Sequence, residues 1–170
     1  MRILLLLILL LGILEARALD MKQIITLKIV KNIALRYPDS QGHTYEKVAM
    51  AICMSETHAG KAKFGDKQLL KKGIKQASYG VMQVRLATAR FVAKTYRLKE
   101  VLWMNDTQLI KKLMHDIAFN AKIAVLYIVW LHEHSKNSFE AISRYNGGRV
   151  NRPYYKKVRK NLLYLSRYNI

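Results

Sequence analysis

Apolar positions recur at helical spacing along most of this chain. Met21 to Arg36 is amphipathic and stops before Tyr37-Pro38-Asp39-Ser40, where the proline breaks the pattern. Tyr45, Val48, Ala49 and Ile52 then mark one face of a second helix, for which Thr44 is the expected cap. Lys61 to Lys75 is polar and basic, with Gly65 and Gly73, and reads as a long loop. Val81 to Tyr96 reads as helix, and Thr107 is placed to cap another. From Ala118 to Leu131 only Asn120 and Lys122 interrupt the apolar run, so this segment is the expected buried central helix. Ser138 is the expected cap of a short helix to Tyr145, closed by Asn146-Gly147-Gly148. Pro153 suits the first position of a last helix. In that helix Tyr155, Val158, Leu162 and Leu165 form an apolar stripe, opposite a solvated basic face of Lys156, Lys157, Arg159 and Lys160. Only two prolines and eight glycines interrupt the chain, and no alternating run reads as a strand. The expected class is all-α, one domain without internal repeats.

The first residues carry a different message. Arg2, the apolar run Ile3 to Leu14 and the small residues Ala16 and Ala18 around Arg17 have the three-part layout of a secretory signal peptide. The run is too short to span a bilayer, which takes about 20 residues. The expectation is a signal segment at 1–18, cleavage near Ala18, and a periplasmic or secreted domain at 19–170. Cys53 is the only cysteine, so no internal disulfide can form and packing must hold the domain. Cys53 itself reads as a small core residue.

Charge narrows the partners without naming one. Thirty Lys and Arg face eleven Asp and Glu, a formal net charge of +19. Such a field favours polyanions: nucleic acid, anionic lipid or anionic wall polymer. Export argues against nucleic acid as the normal partner. His132-Glu133-His134 does not read as a metal site, because a spacing of two puts the imidazoles on different sides of a helix. No metal and no cofactor are expected, and the chain is expected to be monomeric.

Glu56 carries the candidate chemistry. It lies four residues beyond Ile52, on the apolar face of its helix. Burial there penalises the ionised form, raises the pKa and keeps a proton available near neutral pH, as a general acid requires. Two further motifs follow in order: Ser78-Tyr79-Gly80-Val81-Met82-Gln83 and Tyr145-Asn146-Gly147-Gly148.

In this ordered set the chain resembles the lytic transglycosylase family with the lysozyme-like fold, the soluble lytic transglycosylase domain. That family has a helix-terminal Glu, a Ser-x-Gly-Leu-Met-Gln type segment and a Tyr-Asn-x-Gly segment. Ala87-Thr88-Ala89, the pair Asp116 and Asn120, and the closing Tyr155 to Val158 segment continue the resemblance, which spans about residues 40–160. Thr57 stands where the family has Ser, Val81 where it has Leu, and the 61–75 loop is lysine-rich where the family has small residues and proline.

The resemblance implies a lysozyme-like helical domain and cleavage of the bond between N-acetylmuramic acid and N-acetylglucosamine in peptidoglycan, with 1,6-anhydro ends and no water consumed. Glu56 would be the catalytic acid and base. Ser78 and Gln83 would hold polar groups of the sugar, Gly80 would let the backbone approach it, and Met82 would form an apolar wall. Tyr145 would orient the Glu56 carboxyl, and Asn146 would hold the turn or a sugar. Asp66, Asp106 and Asp116 stay open as neighbours of Glu56. The implied partner is the glycan strand, with a secretion or conjugation machine as the setting. A hydrolytic muramidase on the same fold and a non-catalytic cationic wall-binding or polyanion-binding protein are the alternatives.

Overall fold

The computed structural model describes residues 18–62 and 73–170. The expected signal segment lies outside them except for Ala18, as does most of the lysine-rich loop, including Asp66. The described chain is mainly helical: α1 Met21–Ala34, α2 Glu46–Thr57, β1 Ser78–Tyr79, β2 Val84–Arg85, α3 Leu86–Thr95, α4 Lys99–Leu102, α5 Asp106–His115, α6 Ile117–Glu133, α7 Ser138–Tyr145 and α8 Arg152–Leu165.

α6 is the centre, as its composition predicts. Ile123, Val125, Ile128 and Leu131 are almost wholly buried, and α1, α2, α3, α5 and α7 all pack against it. A buried side chain of this size contributes about 1.5–3 kcal/mol relative to exposure. Leu27, Val30 and Ala34 of α1 complete one side of the core, and α8 closes the other by lying across α2 and α7. Cys53 is a buried free thiol in that core, its pKa pushed up to about 12 by burial.

The helix starts differ from the expected ones in a consistent way. Asn105, not Thr107, caps α5, in a reciprocal capping box with Gln108. Asn137, not Ser138, caps α7. Asn151 caps α8, which moves Pro153 to the second helical position. In each case an asparagine just upstream takes the cap, in line with its rank among the best N-cap side chains. Thr44 caps nothing: α2 starts after Tyr45 without a side-chain cap, and the Thr44 hydroxyl donates to Glu46 at 2.7 Å.

The largest departure is at 78–85. Val81 does not begin a helix. Residues 78–85 form a small antiparallel hairpin, with Ser78 opposite Arg85 and Tyr79 opposite Val84, and α3 starts only at Leu86. Side chains from three helices hold its turn. Buried Asn120 of α6 accepts from the Met82 amide at 2.8 Å and donates to the Tyr79 carbonyl at 2.9 Å. Thr57 of α2 donates to the Val81 carbonyl at 2.7 Å, and Tyr145 of α7 to the Met82 carbonyl at 2.8 Å. These bonds satisfy backbone groups that a helix would have paired internally.

Candidate active site

The end of α2 places Glu56. His58 follows in the left-handed region at φ 50° and stops the helix, with Ala59 and Gly60 also at positive φ. Thr57, next to Glu56, is tied to the hairpin through Val81, so helix end and hairpin form one wall.

α8 supplies the other support. The Tyr154 hydroxyl donates to Glu56 Oε1 at 2.5 Å. Lys157 Nζ donates to the Ser55 carbonyl at 2.5 Å, and the Asn161 amide donates to the Ser55 hydroxyl at 2.8 Å. Positions 154, 157 and 161 share one helix face. Lys157 thus stays exposed, as expected, but its ammonium reaches across to the end of α2.

The Glu56 carboxyl titrates above its ordinary value because burial penalises the anion; the Tyr154 hydrogen bond and the Lys157 charge oppose that shift without cancelling it. Tyr154 and Tyr145 are pushed upward by burial and by the nearby Glu56 charge, so both stay protonated as donors.

Glu56 opens on a cavity of about 500 Å³, a volume within the range of small-molecule sites. Ser78, Gln83, Tyr145 and Asn146 line it, so these four expected site residues come together with Glu56. Gln83 sits in the left-handed region at φ 51°, its amide donating to the Gly80 carbonyl at 2.8 Å. A non-glycine residue held there is strained by about 1–3 kcal/mol, a cost met with most often at functional sites.

Three roles need correction. Tyr145 does not hold the Glu56 carboxyl; its hydroxyl is committed to Met82, and Tyr154 does the holding. Met82 forms no wall of the cavity, since its side chain is wholly buried in the core. Gly80 is not among the residues that line the cavity. Its close approach is to the protein itself: a Cβ at its φ of +73° would fall 2.2 Å from the Leu113 carbonyl oxygen and 2.4 Å from Asn120 Nδ2.

Other residues reach the cavity without having been expected there: Arg85, Thr88, Tyr127 and Arg144. Arg85 is anchored on the Gln76 carbonyl at 3.1 Å. Arg144 bonds Ser135 and lies over the Trp130 ring. Tyr127 lies within the apolar run of α6, and the 3.6-residue pattern singles out neither it nor the arginines.

Glu56 is the only carboxylate lining the cavity among the described residues. Asp106 is paired with Arg90 at 3.0 Å, and Asp116 caps α6 through the Phe119 amide at 2.8 Å. Among the described residues no group of three His, Cys, Asp or Glu side chains is placed to hold a metal. His132 lies half-buried against Tyr45 and His134 stacks on Trp130, so this pair sits apart from the cavity lining. Lys61, at the near end of the lysine-rich loop, pairs with Asp20 at 3.6 Å and does not line the cavity.

Chemically, the arrangement is a carboxyl with a raised pKa, one fixed donor on one oxygen, and a polar cavity in front. It can give a proton to a bound oxygen and take one back. No family model, no curated protein and no solved structure matches this chain.

Proposed function

We propose that this protein is an exported peptidoglycan lytic transglycosylase with a lysozyme-like fold. The observation that carries the proposal is Glu56: a partly buried carboxyl held by Tyr154, without a second carboxylate among the described cavity residues, on a cavity it shares with Ser78, Gln83 and Asn146. Hydrolysis by the common two-carboxylate routes would call for a partner acid on the opposite side of the sugar. A single carboxyl suits a reaction in which the substrate supplies its own nucleophile.

In that scheme the protonated Glu56 gives its proton to the glycosidic oxygen as the bond to C1 breaks. The muramoyl acetamido group stabilises the positive centre. Glu56, now ionised, takes the proton of the C6 hydroxyl while O6 bonds to C1. The carboxyl is restored and no water is consumed. Tyr154 fixes the direction of the carboxyl in both steps. A small exported domain of this kind fits the opening of the wall for a secretion or conjugation apparatus.

Glu56→Gln removes the transferable proton and retains the acceptor for Tyr154. Activity on purified peptidoglycan is expected to fall at least about a hundredfold, the lower end of general acid–base contributions. Wild-type digests are expected to carry 1,6-anhydromuramic ends, lighter by one water than hydrolytic ends and resistant to borohydride. Reducing muramic ends would assign a lysozyme. Binding without fragment release would assign a wall-binding protein. A Gln variant as fast as wild type would remove Glu56 from the chemistry.

A further inference from the structure

The inner face of α8 holds Glu56; its outer face carries a pattern of its own. Arg152, Lys156, Arg159, Lys160 and Leu163 are exposed and fall on one stripe by helical periodicity, which Arg167 continues just past the helix end. No Asp or Glu occurs anywhere from 141 to 170. Among the described residues none of these five cations has an ion pair. Arg152, at the positive end of the helix, opposes its dipole, and neither an acid in the first turn nor a base in the last complements it. Within the stripe Leu163 is 65% exposed, and Val150, before the helix, is 70% exposed.

We propose that the outer face of α8 is a docking surface for a membrane rich in anionic phospholipid. Five unpaired cations along roughly 20 Å of helix match the phosphates of a flat anionic surface. The two exposed aliphatic side chains decide between a bilayer and a soluble polyanion. On nucleic acid a leucine amid cations gains nothing, whereas at the headgroup–acyl boundary it is buried while its neighbours reach phosphates. The protein docks as a rigid body, because the apolar side of α8 is already packed on α2 and α7. Among the described residues no single helix is long and apolar enough to cross the bilayer; the attachment proposed is through this face alone. The Glu56 carboxyl, on the far side of α8, is held about one helix diameter, ~10 Å, from the surface. The proposal does not depend on the chemistry of Glu56.

The test is co-sedimentation of the full chain with vesicles of phosphatidylcholine, with and without phosphatidylglycerol, and titration of a short DNA duplex as a soluble polyanion. Any contribution of the apolar segment 3–14 is common to wild type and variants. Wild type is expected to favour the phosphatidylglycerol vesicles, less so as salt rises. Each membrane-facing cation contributes about fivefold to partitioning, so R152Q/K156Q/R159Q is expected to lower it roughly a hundredfold with an unchanged circular dichroism spectrum. L163N is expected to weaken vesicle binding severalfold and leave duplex binding alone. Equal binding to both vesicle types, or an unaffected triple variant, overturns the proposal. So does an L163N variant that binds vesicles like wild type, which would assign the stripe to soluble polyanions.

Discussion

Asp39, in the turn before α2, and Glu56, at that helix's end, are both carboxylates in folded surroundings, with opposite fates. Asp39 accepts from the Tyr45 hydroxyl at 2.6 Å, the His43 amide at 2.8 Å and the Gln41 amide at 3.0 Å. Led by the Tyr45 hydrogen bond, these donors bring its pKa down to about 2. Among the described residues Glu56 has one donor, Tyr154, and burial outweighs it, so its pKa moves up. The number of donors offered to the anion separates a carboxylate that fastens a turn from a carboxyl that keeps its proton for use. At both, a tyrosine is the principal donor; at Glu56 it is not joined by backbone amides.

The sharpest way to break this contrast, short of removing Glu56, is Tyr154→Phe. The ring volume stays and the donor goes. Because that hydrogen bond lowers the Glu56 pKa, its loss raises it further, and the limb of the pH–activity profile that reports Glu56 should move to higher pH. A hydrogen bond to a charged group is worth about 1.5–3 kcal/mol, so kcat/KM should fall by about tenfold or more. An unmoved limb with undiminished activity would show that Tyr154 does not position the carboxyl.

The counterpart at the other end of the comparison is Asp39→Asn, where stability changes and chemistry does not. A carboxylate with a lowered folded pKa stabilises the fold above the unfolded Asp value, and this contribution fades as pH falls toward about 2. The variant should therefore melt several degrees below wild type at neutral pH, with the gap closing in acid. Its activity at temperatures where it is folded should be unchanged. An equal gap at low and neutral pH would mean that shape, not charge, makes the turn.

The two carboxylates were not equally legible in the chain. Glu56 stood out because the 3.6-residue period places it on a buried face, and burial alone implies a raised pKa. The helical class and the central helix followed from the same period. The donor to Glu56 did not. Tyr154 and Tyr155 are adjacent, and the stripe Tyr155, Val158, Leu162, Leu165 competes with Tyr154, Val158, Asn161, Leu165. The second set includes an asparagine, and only the Ser55 hydroxyl across the interface makes that polar residue welcome. The hairpin was hidden for a related reason. Its turn is held by Asn120, Thr57 and Tyr145, all distant in sequence, and local pattern cannot register bonds that arrive from elsewhere. The sequence marks Gly80 as a place of close approach, but its tight neighbours are the Leu113 backbone and Asn120.

The smallest expected effect is the stability of the Glu56→Gln protein, and it bears directly on the contrast. Burial gives Glu56 a folded pKa above its unfolded one. Below the unfolded value, about 4.3, both states hold the proton and the carboxyl costs the fold nothing extra. As pH rises through the folded value, wild type loses stability, because the unfolded chain releases the proton more readily. The glutamine variant has no proton to release and keeps its Tyr154 acceptor. It should therefore melt a few degrees higher than wild type at alkaline pH, with the advantage vanishing near pH 4. That is the Asp39→Asn pattern with its sign reversed: both gaps close in acid, but one variant is the less stable partner and the other the more stable. An alkaline advantage together with lost activity would mark Glu56 as a group kept at a cost to stability for the sake of its proton, whereas a melting loss at every pH would place it with Asp39 among the residues that fasten the fold.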